Sequence, residues 1–180
     1  MTRYIALFRG LNVGGGHKVP MAALRRFMAG LGFADVATYI QSGNAVFDAD
    51  ADAASATSTI ETAFAHRFGF AVPLVLLTVG QLDEAIDGNP FASLTDDHRM
   101  LHTGFFKADP DPDRLAALAP LEKDGERHAV AGRVIYLYLP HYSARSELAG
   151  KVAGGDLGAP VTLRNWRSVR ALAEMAHPAD

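Results

Sequence analysis

The sequence predicts an α+β fold in which two duplicated βαββαβ units pack into one globule on mainly antiparallel sheets. Three observations carry that expectation. One order of strand-like and helical stretches runs through the first half of the 180 residues and returns in the second. The turn glycines Gly43 and Gly132 are offset by nearly the same interval as Gly80 and Asn165, the residues that open the last helix of each half, as a duplicated unit requires. Between the halves lies Asp87-Gly88-Asn89-Pro90, followed by the polar run Thr95-Asp96-Asp97, a turn-rich junction. The expected units are residues 1–89 and 97–180.

The first half reads as follows. Tyr4, Ala6 and Phe8 alternate with Ile5 and Leu7, so a strand at 4–8 is apolar on both faces and must be covered on both. After Gly14-Gly15-Gly16, Pro20 suits a first helical position. Met21, Leu24, Phe27, Met28 and Leu31 follow at helical spacing, with Gly30 and Gly32 to end the helix and Arg25 and Arg26 toward solvent. Strands at 36–41 and 45–47 flank the turn signal Ser42-Gly43-Asn44. A helix over 55–67 spaces Ile60, Phe64 and Phe68 by four; a buried strand at 73–78 and a short helix at 81–86 complete the half.

The second half repeats the order. Residues 99–107 read as a strand, and Asp111-Pro112 supplies an N-cap and a first-position proline for a helix carrying Leu115, Leu118 and Leu121. Residues 127–131 and 133–139 form a hairpin around Gly132, 143–152 a helix, and 161–163 a short strand. Asn165 caps a last helix in which Trp166, Val169, Leu172 and Met175 recur on one face. A βαββαβ unit with its helices on one side of an antiparallel sheet is the ferredoxin-like arrangement.

Composition narrows the function. Hydrophobic residues are 49% and charged residues 21% of the chain, which excludes wholesale disorder. There are no cysteines, which excludes disulfides, thiolate metal sites and cysteine nucleophiles. Arg9 interrupts the apolar N-terminal run too soon for a signal-peptide core, and the run 70–79 contains Pro73 and is too short for a bilayer. A cytoplasmic protein without membrane contact is expected. The net charge of −3 conceals a pattern: residues 1–50 hold five basic and three acidic groups, and residues 81–126 four basic and eleven acidic ones. That acidic middle argues against nucleic-acid binding over the whole surface and leaves room for one local basic site.

Three motifs could build it. Gly10 to Lys18 lacks the lysine and hydroxyl of a P-loop, and Gly14-Gly15-Gly16 does not satisfy G-x-G-x-x-G. What remains is a flexible loop feeding a helix N-terminus beside His17 and Lys18, able to bind an anion through free amides or serving only as a strand-to-helix turn. Gln41-Ser42-Gly43-Asn44 offers paired donors and acceptors, although hairpin chemistry accounts for all but Gln41. Arg164-Asn165-Trp166-Arg167 joins two guanidiniums to an indole, which suits phosphates and stacked bases; the plainer reading has Asn165 capping, Trp166 in the core and both arginines solvated. His98 and His102 are the only close histidine pair, and they form no metal motif. Ser42 lies in no nucleophile elbow, and Asp109-Pro110-Asp111-Pro112-Asp113 opens a helix more simply than it holds a cation. No metal and no cofactor are expected.

Several segments together carry a resemblance. Tyr4-Ile5-Ala6-Leu7, Arg9-Gly10-Leu11-Asn12-Val13-Gly14-Gly15, Lys18-Val19-Pro20-Met21, Leu24-Arg25 and Leu31-Gly32-Phe33 resemble the opening of the bacterial family catalogued as domain of unknown function 1697. Thr38-Tyr39-Ile40-Gln41-Ser42-Gly43-Asn44, Asn89-Pro90-Phe91, Tyr136-Leu137 and Thr162-Leu163-Arg164-Asn165-Trp166 continue it. The resemblance implies a cytoplasmic α+β protein with two ferredoxin-like subdomains and implies no activity. Where such proteins often carry Arg-Ser-Lys-Leu, this chain has Arg145-Ser146-Glu147-Leu148, which takes one cation away from the second unit.

The functional expectation is a single anion-preferring cleft. It would gather Arg9, Asn12, Gly14, Gly15, Lys18, Gln41, Ser42 and Asn44 with Arg145, Arg164, Asn165 and Trp166. Its ligand would be a nucleotide, a phosphorylated metabolite or, with less support, a nucleic-acid strand. The alternatives are an enzyme that acts on such a ligand by positioning and electrostatics, without covalent nucleophile or metal, and a structural or interaction protein. His17 is the sole acid–base candidate within the N-terminal motifs, so binding is favoured over catalysis. Oligomeric state is not legible.

Overall fold

The computed structural model describes residues 1–16 and 18–177. The chain divides into two units, residues 1–84 with the C-terminal segment from Ala171, and residues 85–170. Each unit holds one four-stranded sheet. In the first, β1 (Thr2–Phe8), β2 (Ala34–Tyr39), β3 (Asn44–Ala49) and β4 (Leu74–Thr78) lie in the order β2-β3-β1-β4, joined by α1 (Met21–Gly30) and α2 (Ala53–Phe68) and followed by α3 (Val79–Asp87). In the second, β5 (Leu101–Phe106), β6 (Arg127–Ala131), β7 (Val134–Tyr138) and β8 (Val161–Asn165) lie in the order β6-β7-β5-β8, with α4 (Pro112–Ala116) and α5 (Glu147–Gly154); α6 (Trp166–Ala176) starts in this unit, and from Ala171 onward it counts with the first. Every neighbouring pair is antiparallel. The two orders are the same, so the protein is a duplicated ferredoxin-like α+β fold.

In the first unit the alternation of β1 sorts its side chains. Tyr4, Ala6 and Phe8 join Leu24 and Met28 of α1 and Ile60 and Phe64 of α2 in one core. Phe64 is the hub, with the rings of Phe8, Phe27, Phe68 and Phe70 all within 5.8 Å of its own; truncating such a residue costs about 3–5 kcal/mol. Ile5 and Leu7 point to the other face and are equally buried, as the two-sided apolar pattern requires.

The helix starts are local chemistry. Asp52 caps α2, its carboxylate accepting from the Ser55 amide at 2.9 Å and the Ser55 hydroxyl at 2.8 Å, bonds that hold its carboxyl below the usual carboxylate range. The helix therefore opens ahead of the expected Ser55. Thr78 and Gln81 bond each other's backbone amides, a capping box that starts α3. Pro20 stands just outside α1 as its N-cap rather than as its first residue.

In the second unit Asp111 caps α4, accepting from the Asp113 amide at 2.9 Å, with Pro112 at the first position as expected. The helix ends at Ala116, however, and a 3-10 turn follows at Ala119–Leu121. Pro120 is the reason: its ring excludes the carbonyl four residues back and disfavours helical backbone at Ala119. Leu118 is still buried in the core, with Leu115 and Leu121 packed against it. The expected helix at 143–152 is likewise split. Ser146 caps α5 by accepting from the Ala149 amide at 3.0 Å, so the preceding residues form a separate 3-10 turn, Ser143–Arg145. Among the described residues no helix is long and apolar enough to cross a membrane.

Candidate functional site

The first unit builds a two-part surface at one end of its sheet. The Phe8 amide donates to the Gly43 carbonyl at 2.8 Å and the Arg9 amide to the Pro73 carbonyl at 2.9 Å, after which the chain leaves the sheet. A loop follows with left-handed backbone at Gly10, Asn12, Gly14 and Gly15. Asn12 closes it. Its Oδ1 accepts from the Val19 amide at 2.7 Å, while its Nδ2 donates to the Val19 carbonyl at 2.9 Å and the Gln41 carbonyl at 2.6 Å. One side chain thereby imitates a backbone pairing across the neck of the loop and ties the loop to the β2–β3 turn.

Gly43 makes the tie close. A Cβ at Gly43 would lie 2.9 Å from Cβ of Phe8 and 3.0 Å from Cβ of Leu11, and its φ is +73°, so no side chain fits there. Asn44 is fully buried, its Nδ2 donating to the Tyr39 carbonyl at 3.2 Å and the Ser42 hydroxyl at 3.0 Å. Asn12 and Asn44 thus spend amide donors on shaping the surface. The groups displayed on it are the backbone of Gly14 and Gly15 and the side chains of Lys18 and Gln41, all exposed, with Ser42 and Arg9 half-buried beside them. His17, the imidazole of this loop, lies outside the described residues.

Two apolar residues missed by motif reasoning complete the surface. Val13 at the loop and Ile40 at the turn are 66% and 51% exposed, one position from Asn12 and Gln41 respectively. Ile40 also sits at φ +47°, a region that costs a β-branched residue dearly. The available signal was an isoleucine running straight into a turn motif.

The start of α1 faces this loop in sequence and is electrostatically open. Pro20 makes no side-chain cap bond, and no acid lies in the first turn. The amides of Ala23 and Leu24 donate to the Pro20 carbonyl, which leaves those of Met21 and Ala22 as the open donors of this helix among the described residues. Farther along, Arg25 reaches the Thr38 hydroxyl at 2.5 Å.

The C-terminal motif belongs to the second unit. Arg164 is only 8% exposed; its Nη1 donates to the Thr162 hydroxyl at 2.8 Å and the Leu163 carbonyl at 3.0 Å, and burial pulls its pKa down to about 10. Asn165 caps α6, accepting from the Ser168 amide at 2.9 Å. Trp166 is buried, whereas Arg145 and Arg167 are exposed. The structure therefore brings Asn12, Gly14, Gly15, Gln41, Ser42 and Asn44 to one end of the first sheet, with Lys18 on the same loop, and places Arg145, Arg164, Asn165 and Trp166 in the other unit. Among the described residues no three histidine, aspartate or glutamate side chains gather to hold a metal ion.

Comparison with known proteins adds the following. A family model described as "Protein of unknown function (DUF1697)" matches residues 1–136. A solved structure described as that of the conserved bacterial protein SP0830 from Streptococcus pneumoniae is 27% identical in sequence, covers 98% of this chain and 99% of its own, and superposes with a TM-score of 0.79. No curated protein matches the sequence.

Proposed function

The chain belongs to the DUF1697 family of proteins of unknown function, and we propose that its first unit binds an anionic, phosphate-bearing small molecule, a nucleotide or a phosphorylated metabolite, at the glycine loop. The observation that carries this reading is the start of α1, which has neither a side-chain cap nor an acid in its first turn and begins three residues after exposed Lys18. Free amides and the helix dipole make such an end favourable for negative charge. Lys18 adds a full charge, and Gln41 adds a donor and an acceptor. Val13 and Ile40 give the uncharged part of a ligand an apolar surface, which supports a nucleotide over a bare phosphate. The bacterial source of the similar structure supports a bacterial setting for this binding.

Calorimetric titration with AMP, inorganic pyrophosphate and adenosine tests the reading. AMP and pyrophosphate bind, adenosine binds at least about tenfold more weakly, and Lys18→Ala weakens both anions about five- to tenfold. Arg167→Ala, an exposed cation of the other unit, leaves them unchanged. Equal loss in the two variants, or no binding of either anion, overturns it.

A further inference from the structure

We propose that the second unit carries a ligand site of its own, a cavity of about 250 Å³ bordered by Arg99, His102, Tyr142 and Asn165, and that it takes a small organic carboxylate. The register of the sheet assembles it. His102 on β5 stands opposite Leu137 on β7 and opposite Asn165 on β8, and directly opposed residues share a face. Leu137 belongs to the core of this unit, so His102 and Asn165 close the end of that core with polar groups where apolar side chains would have continued it.

The polar groups present donors. Nδ1 of His102 is buried and meets no hydrogen-bond partner among the described residues. An orphaned buried N–H is rarer and costlier than an orphaned acceptor, so the favoured tautomer leaves Nδ1 bare and carries the proton on Nε2, the nitrogen left for the cavity. Asn165 commits its Oδ1 to the Ser168 amide, and its NH₂ is what it can offer a ligand. Arg99 donates from Nε and Nη2 to Asp97 at 2.9 and 2.7 Å, which leaves Nη1.

The wall that carries Arg99 is held in place. Its guanidinium lies 4.9 Å from the centre of the Tyr142 ring, and the Tyr142 hydroxyl reaches the same Asp97 carboxylate at 3.4 Å. Tyr142 keeps a φ of +65°, a region a bulky residue enters only when its surroundings impose it, and such strain collects at binding sites. A stacked and forked arginine has already lost the side-chain freedom that binding would cost.

Three converging donors with no carboxylate among the bordering residues complement an oxygen acceptor bearing negative charge. Asp97 partly offsets Arg99, which favours a singly charged carboxylate over a phosphate dianion. An apolar cavity of about 150 Å³ holds benzene, so this one suits a carboxylate on a body of comparable size. The site is distinct from the glycine loop, and each can fail without the other.

Nuclear magnetic resonance on the full chain, with benzoate as the probe, tests the assignment through the His102 ring and the Asn165 NH₂ signals. Benzoate shifts both saturably, with half-saturation below about 10 mM, and benzyl alcohol and inorganic phosphate bind at least about tenfold more weakly. Asn165→Asp keeps the cap acceptor that α6 needs but replaces the donor with a like charge; the variant stays folded and loses benzoate binding by more than about tenfold. Arg99→Met weakens it about tenfold. Equal shifts with benzyl alcohol, tighter binding of phosphate, shifts confined to other residues, or an unaffected Asn165→Asp variant would each overturn the proposal.

Discussion

Asn12 donates its side-chain amide to the Gln41 carbonyl at 2.6 Å, and by that bond the glycine loop and the β2–β3 turn become one surface. The same amide also pairs with both backbone groups of Val19. A residue that reads from the sequence as a ligand contact thus sets the shape of the loop that displays Lys18 and Gln41.

Replacing Asn12 tests that role. Asn12→Ala removes three hydrogen bonds at the neck of the loop and destabilises the protein by about 2–3 kcal/mol in urea denaturation. Asn12→Asp keeps the acceptor for the Val19 amide yet sets a carboxylate against two carbonyls, and it is destabilised at least as much. An Asn12→Ala variant as stable as the native chain contradicts the bonding described.

Ile40 separates stability from binding. Its φ of +47° disfavours a β-branched residue by roughly 1–2 kcal/mol, and asparagine tolerates that region better. Ile40→Asn therefore raises the denaturation midpoint, because an exposed side chain loses little burial. It weakens AMP more than pyrophosphate, since only AMP has an apolar body for the turn to meet. If it weakens the two anions equally, Ile40 contacts no ligand.

His102 gives a pH dependence of defined sign. Burial lowers its pKa from the ordinary 6.5, so between 6.5 and the folded-state value the unfolded chain binds the proton and the folded chain does not. Stability is complete above 6.5 and falls as pH drops through that window. The difference between the native chain and His102→Gln, followed by thermal denaturation from pH 8 to pH 5, should show that loss in the native chain alone. Parallel curves for the two proteins would mean the imidazole is not held neutral.

Much of the fold is legible in the sequence because its signals are local. The alternation in β1, the turn at Gly43, and the caps at Asp111 and Asn165 each depend on residues a few positions apart, and the structure places all of them as expected. The misplaced boundaries were decided by a single competing residue: Pro120 cut α4 short, Ser146 restarted the chain as α5, and Asp52 opened α2 early. The candidate site is less legible because side-chain direction is a tertiary property. Nothing near Asn12 in the chain reveals that its amide turns to the backbone of Val19 and Gln41, whereas Asn44 serves the hairpin, as the turn reading of Ser42-Gly43-Asn44 has it. Trp166 did carry a signal, the helical spacing with Val169 and Leu172, and it lies in the core accordingly. The His102 cavity joins residues from β5 and the segment just before it, the segment after β7, and the end of β8, so no stretch of sequence contains it.

The most direct test of the glycine-loop account is the response of the Met21 and Ala22 backbone amides, the donors at the start of α1 left open among the described residues, to inorganic pyrophosphate in an ¹H–¹⁵N spectrum of the full chain. Saturable shifts are expected at both amides and at Lys18, with half-saturation moved about five- to tenfold higher in Lys18→Ala. Pyrophosphate binding that leaves Met21 and Ala22 unmoved, or that Lys18→Ala does not weaken, would contradict it.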